Sequence, residues 1–243
     1  VRYIFILLLI IGCANNSDGR RNDPVFLIAG QSNSVSPAQG DISSCYSTEE
    51  KVFVNDFYSD NHPKGYFGTE LRIPTQNNPM KGGCVWIYLG DLFNRKVTFN
   101  IVGEGGTSTR QWIDYYHEGM VNALKARYYD AIIWVQGESD QGLGISEDET
   151  YNNMLALINE SRQIQPGIIW YVALDGMSVN LDGNPRKAQL RLINEHIVKQ
   201  GVDIDELRKN RPSCFDSRLV HFSGSIGLHA HAQSWYDILK NDF

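Results

Sequence analysis

The chain has 243 residues, 42% of them hydrophobic and 21% charged, a length and balance that fit one globular domain and exclude a disordered or fibrous protein. Asp and Glu number 28 against 22 Lys and Arg, a formal net charge of −6. With no basic stripe, that balance argues against nucleic acid as the main partner and favours a neutral or sugar-like ligand.

In chain order the first feature is an apolar run from Ile4 to Ile11 preceded by Arg2. It is far shorter than the roughly 20 residues needed to span a bilayer, so residues 1–12 read as an export signal peptide. Gly12 directly before Cys13 resembles the lipobox of bacterial lipoproteins, in which the cysteine is acylated and becomes the first mature residue. That resemblance implies a polar tether over residues 13–23, a functional domain over 24–243, and an exported protein in the periplasm or at the cell surface. Its only membrane contact would be the lipid on Cys13. A plain secretory signal with an incidental cysteine is the alternative.

Short apolar runs rich in β-branched and aromatic residues follow at Val25–Ala29, Val97–Val102, Ala131–Val135 and Ile168–Leu174, each ended by Gly or a polar turn, and they read as buried strands. Lys51–Val54 is a candidate short strand within an irregular, polar and aromatic region from Ser34 to Met80. Tyr151, Met154, Leu155 and Ile158 keep helical spacing after Ser146, with Glu149 placed for a capping box. A further helix is expected from Asn184 as cap and Pro185 as first helical residue, with Leu190, Ile193 and Ile197 on one face. Cys84–Phe93, Asp114–Ala126 and Ser225–Leu239 also read as helical. Strands alternating with helices predict an α/β fold, a three-layer α/β/α sandwich on a mostly parallel sheet. Beyond Cys13, the cysteines Cys45, Cys84 and Cys214 allow one internal disulfide and one leftover thiol, and their spacing does not say which. With no CxxC pair and no His at ligand intervals, no zinc site is expected.

In open parallel sheets ligands sit outside the carboxyl ends of the strands. Three predicted strands end there in unusual residues: Gly30, Gln31, Ser32, Asn33; then Gly103 to Ser108 with Gly105 and Gly106; then Gln136, Gly137, Glu138, Ser139, Asp140. Together they supply a hydroxyl nucleophile, N–H donors freed by glycine, an amide and a carboxylate, the parts of an acyl-transfer site. Each alone is an ordinary turn, and their joint occurrence is what points to catalysis. A serine needs a base. Of the histidines His62, His117, His196, His221, His229 and His231, His221 stands out because it lies in a loop opening the last helix. His117 and His196 fall within predicted helices, and His229 and His231, two apart on a helix, point to different faces.

These blocks, with Trp112, with Trp134 and Val135 before Gln136, and with Val220, His221 and Phe222, resemble the blocks of the SGNH hydrolases. They are most similar to the branch containing sialate O-acetylesterases and acetylxylan esterases. A GxSxG elbow is absent, which argues against the α/β-hydrolase fold. The resemblance implies a serine esterase that removes O-acetyl groups from a carbohydrate such as a sialic acid or a xylan-type glycan, through an acyl-enzyme and without metal or cofactor. It implies Ser32 as nucleophile, His221 as base, and an oxyanion hole from the N–H of Ser32, the N–H of Gly105 and the amide of Gln136. Gly106 is the alternative to Gly105.

Many such enzymes place an Asp three residues before the His, where this chain has Arg218. Glu138 is therefore expected as the acid that orients His221, as in similar acetylxylan esterases, with Asp216 or a backbone carbonyl as alternatives. Arg218 also motivates a rival, a catalytically inactive glycan-binding lipoprotein. Within the enzymes the runner-up is a lipase or thioesterase.

Overall fold

The computed structural model describes residues 23–55, 70–178 and 180–243. The signal peptide, Cys13, nearly all of the tether, His62 and the aromatic segment beyond Asn55 lie outside the described residues.

Seven strands form one sheet in the order β3-β2-β4-β1-β5-β6-β7. They are β1 (Val25–Gly30), β2 (Val52–Asn55), β3 (Leu71–Arg72), β4 (Val97–Ile101), β5 (Ala131–Val135), β6 (Ile169–Leu174) and β7 (Lys199–Asp203). All described pairings are parallel except that of β3, which meets β2 antiparallel through Val54 and Arg72. The helices are α1 (Ser32–Val35), α2 (Cys84–Leu92), α3 (Thr109–Gln111), α4 (His117–Ala126), α5 (Glu138–Gly142), α6 (Glu147–Ile164), α7 (Asn184–Asn194), α8 (Ile204–Asn210) and α9 (Gly224–Leu239). A π-helical turn, Trp112–Tyr116, joins α3 to α4.

Both faces of the sheet are covered, which explains why its strands are continuous apolar runs rather than alternating ones. Phe26 and Ile28 face a core with Trp86 of α2 and Leu228 and Trp235 of α9. Leu27 and Ala29 face a second core with Met120 of α4, Met154 and Ile158 of α6, and Leu192 of α7. Each of these side chains is fully or almost fully buried, and burial of a Leu, Ile or Phe contributes about 1.5–3 kcal/mol. The three-layer sandwich expected from the sequence is the fold observed.

The elements depart from expectation in a few places. β7 reads Lys-Gln-Gly-Val-Asp and has no apolar run because it is an edge strand, lying under Trp235 through Gly201, where a Cβ would come within 2.5 Å of the indole. α6 begins as expected, with the Ser146 hydroxyl accepting the Glu149 N–H at 3.2 Å. α7 is capped by Gly183, and Asn184 is already helical. Its buried face carries Pro185, Ala188, Gln189 and Leu192, while Leu190 and Ile193 are half-buried. The helix ends at Asn194, so Ile197 and His196, the latter in the left-handed region at φ 56°, lie beyond it.

Cys45 and Cys84 are paired as a disulfide with Cα atoms 5.5 Å apart, and Cys214 is a buried free thiol. Closing a span of 39 residues is worth about 4 kcal/mol in the chain-entropy model. Among the described residues no helix is long and apolar enough to cross a membrane, and no group of three or more His, Cys, Asp or Glu is placed to hold a metal ion.

Candidate active site

β4, β1 and β5 are neighbours at the middle of the sheet, with β2 beyond β4 and β6 beyond β5. The chain changes its direction of winding here, so the crevice above their carboxyl ends is the topological switch point. β1 ends at Gly30, whose φ of 122° and whose approach to β5 both require glycine: a Cβ there would lie 2.0 Å from the Val135 carbonyl oxygen. Gln31 N–H then donates to that same carbonyl at 2.8 Å, and the chain turns into α1 with Ser32 as its first residue. The Gln31 side-chain oxygen accepts from the N–H groups of Gly137 (3.3 Å) and Ser139 (3.0 Å), so the turn is fastened to the end of β5. From the other side, Trp86 Nε1 donates to the Ser34 carbonyl at 2.6 Å.

Ser32 Oγ lies 2.9 Å from His221 Nε2, although 189 residues separate them in sequence. His221 sits on a tight loop closed by the Phe215–Phe222 bridge and by Ser223 N–H donating to Cys214 O at 3.0 Å. Within it, Asp216 folds back under the imidazole. Its Oδ1 accepts from the N–H groups of Val220 (2.9 Å) and Arg218 (3.1 Å), and its Oδ2 lies 3.3 Å from His221 Nδ1. That last contact has ion-pair distance without hydrogen-bond alignment, and Nδ1 has no other partner. Partial burial works against ionisation of Asp216, but the loop N–H groups and the imidazole outweigh it and hold the carboxyl below its usual value. Arg218 points outward, 72% exposed, with its guanidinium 3.4 Å from the Asp216 carboxylate rather than on the imidazole.

The expectation that Glu138 orients His221 is corrected by this geometry, because Asp216 occupies the place beside Nδ1. Glu138 begins α5 beneath the nucleophile turn and is 5% exposed. Its Oε1 accepts from Asn33 Nδ2 at 2.6 Å and lies 3.9 Å from Arg208. Burial, and then the charge of Asp175, push its carboxyl well above the usual range. Sequence reasoning named Asn33 in the first block without a role of its own and passed over Asp175 and Arg208. Asp175 directly follows β6 and so carried the same strand-end signal as the residues that were noticed. Arg208, inside α8, carried none.

The two glycines differ in their distance from the nucleophile. A Cβ on Gly105 would lie 4.0 Å from Ser32 Cβ, whereas one on Gly106 would meet nothing within 4 Å. Gly105 is thus the glycine beside the nucleophile. Its loop is held by Glu104 N–H donating to Gly30 O at 2.9 Å and by Thr109, whose N–H (2.8 Å) and hydroxyl (2.7 Å) donate to the Asp140 carboxylate at the β5 end. Gln136 is fully buried, and neither its amide nitrogen nor its amide oxygen has an aligned hydrogen-bond partner. The amide lies close enough to Asp140 to favour that residue's ionised form. The structure does not bring it into hydrogen-bonding contact with Ser32.

The other described histidines are elsewhere. His117 opens α4, His196 is exposed, and His229 is exposed and stacked on Tyr88 at 4.1 Å. His231 is fully buried, accepts from Trp235 Nε1 at 2.9 Å, and burial pushes its pKa down to about 3.

No family model and no curated protein matches the chain. Solved structures do share its fold. A protein from Arabidopsis thaliana aligns with a TM-score of 0.59 at 14% identity, over 91% of this chain and 99% of that one. A protein from Parabacteroides merdae described as a GDSL-like lipase aligns with a TM-score of 0.56 at 14% identity, over 89% and 95%. A member of the lipolytic G-D-S-L family from Veillonella parvula aligns with a TM-score of 0.51 at 13% identity, over 91% and 98%. The architecture is therefore that of the GDSL/SGNH hydrolases.

Proposed function

We propose that the chain is a serine ester hydrolase of the SGNH superfamily that removes O-acetyl groups from a carbohydrate. The observation that carries this reading is the 2.9 Å approach of Ser32 Oγ to His221 Nε2, within the range for direct proton transfer. Ser32 Oγ attacks the acetyl carbonyl as its proton passes to Nε2, and Asp216 stabilises the resulting imidazolium from the Nδ1 side. The tetrahedral oxyanion is received by the N–H of Ser32, the N–H of Gly105 and the Gln136 amide. Collapse breaks the ester C–O bond, and His221 returns the proton to the departing sugar hydroxyl. Water, deprotonated by His221, then attacks the acetyl-enzyme and releases acetate and Ser32. Every step draws on groups of the chain itself and calls for no metal or cofactor.

The glycan as substrate rests on the block Gln136-Gly137-Glu138-Ser139-Asp140 and its resemblance to the acetylesterase branch, together with the formal net charge of −6. Export is supported by the Cys45–Cys84 disulfide, since such bonds persist in oxidising compartments, while lipid attachment at Cys13 rests on the resemblance of Gly12-Cys13 to a lipobox. The noncatalytic rival drew on Arg218 in the expected acid position and loses that motive once Asp216 stands beside the imidazole.

The test is hydrolysis of p-nitrophenyl acetate by wild type and Ser32→Ala, followed by acetate release from acetylated sialic acids, xylans and pectins. Ser32→Ala is expected to lose turnover on the order of 10⁶-fold with its circular dichroism unchanged. Equal rates for the two proteins defeat the esterase reading, and a preference for long acyl chains replaces it with a lipase or thioesterase.

A further inference from the structure

Beneath the nucleophile turn lies a buried charge cluster that the reaction above does not use. Glu138, Asp175 and Asp205 are each no more than 5% exposed, and all three converge on the Arg208 guanidinium, itself 3% exposed. Arg208 Nη2 donates to Asp175 at 3.1 Å, Nη1 donates to Asp205, and Glu138 lies 3.9 Å away. The second cation, Arg186, is bound by Asp203 at 2.6 Å and reaches Asp205 at 3.4 Å. Four carboxyls thus share two guanidiniums, and because only Asp203 of the four is partly exposed, burial disfavours keeping the whole excess of negative charge. Two oxygens identify where the excess falls: Glu138 Oε2 and Asp175 Oδ2 are both buried and accept no hydrogen bond from the described residues. They belong to the two carboxyls that interact with one another, an arrangement that a single proton between them satisfies.

Glu138 is linked from there to the site through one residue. Its Oε1 accepts from Asn33 Nδ2, and the same Nδ2 donates to Val220 O at 3.0 Å. Asn33 Oδ1 accepts from Phe222 N–H at 3.4 Å. Asn33 therefore holds the chain on both sides of His221. Arg208 Nε holds it a third time, donating to the carbonyl of Leu219 at 2.7 Å, a residue kept in the left-handed region at φ 57°.

We propose that Glu138 is a positioning residue that carries a proton shared with Asp175 and, through Asn33, sets the His221 loop over Ser32. As a neutral acid it donates to Asp175 through Oε2 and accepts from Asn33 through Oε1. An ionised Glu138 would leave Asp175 facing a second negative charge, and the floor under the turn would have to open to admit water. Burial and the neighbouring Asp175 charge both favour the protonated form.

The inference rests on the esterase reading for its activity arm, so the experiment has a second arm that does not. Glutamine reproduces both hydrogen bonds of the neutral acid. Glu138→Ala is expected to lower kcat by up to about 10²-fold, the size of effect that follows from misplacing a reacting pair, with little change in KM. Glu138→Gln is expected to restore kcat to within about threefold of wild type with the same pH profile. A loss in Glu138→Gln as large as in Ala, or a shifted pH profile, overturns the proposal. Independently of any substrate, the infrared difference between wild type and Glu138→Gln at neutral pH should contain the C=O stretch of a protonated carboxyl. Ionised-carboxylate bands in its place overturn the proposal even if the protein hydrolyses no ester offered, whereas a positive infrared result with no hydrolysis overturns only the esterase reading.

Discussion

Two acid-bearing regions act on His221, and they are built on opposite electrostatic terms. The loop around Asp216 is partly open to solvent and turns its own N–H groups onto the carboxylate, which is held ionised. The floor around Glu138 is buried, crowded with other carboxyls and served by a shared guanidinium, so its acid is driven toward the neutral form. Asp216 suits the stabilisation of an imidazolium, which needs a negative partner. Glu138 suits a scaffold that must stay packed while charge appears above it. The carboxylate beside the imidazole is thus also the one already served by N–H donors, and the two observations point to the same residue.

The most severe way to break this comparison is Asp216→Asn, which keeps the size of the side chain and removes its charge. Turnover on an acetyl ester should fall about 10⁴-fold, the cost of a base in the wrong tautomer. A near-normal rate would return the orienting role to the floor. Gln136→Ala sharpens the comparison from a third side, because Gln136 is buried like the floor yet is proposed to serve the oxyanion. Removing one oxyanion donor should cost about 10²–10³-fold in kcat, read with KM from the same progress curves.

The smallest expected effect is in stability against pH. The folded Asp216 carboxyl titrates below 3.8, so its contribution is fully present above that value and is lost as pH falls through the lowered one. Asp205, pushed up to about 6, works the other way, since between that pH and about 4 the folded protein holds a proton that the unfolded chain lacks. Urea unfolding from pH 7 to 3 should therefore show the gap between wild type and Asp216→Asn closing only at the acid end. For Asp205→Asn, the difference from wild type should change already between pH 6 and 4.

Much of the sheet was legible because strands buried on both faces cannot hide: β1, β4, β5 and β6 announce themselves as apolar runs. β7 was not, since an edge strand built of Lys199, Gln200 and Gly201 has no apolar run to detect. In the site, Ser32 and Gly105 were readable from glycine-rich strand ends and His221 from its loop. Asp216 was named only as an alternative, because it stands five positions before His221 rather than three, and the loop that folds it back passes through Leu219 in the left-handed region. That conformation is carried by a non-glycine residue and leaves no mark in composition. Arg208 was illegible for a related reason. Asp205 is its neighbour three residues back on α8, but Glu138 of α5 and Asp175 after β6 reach it only once the chain has folded.

The grip of Asn33 on both neighbours of His221 yokes nucleophile and base to a single side chain, one peptide bond along from Ser32. The turn at Gly30 to Asn33 and the loop from Cys214 to Ser223 thus form one cassette despite their distance in sequence. Any redesign that shifts one without the other pulls the reacting pair out of register. Changes in specificity are better sought in walls that the yoke leaves alone, such as the exposed stretch around Leu143 and Met177 beyond β5 and β6.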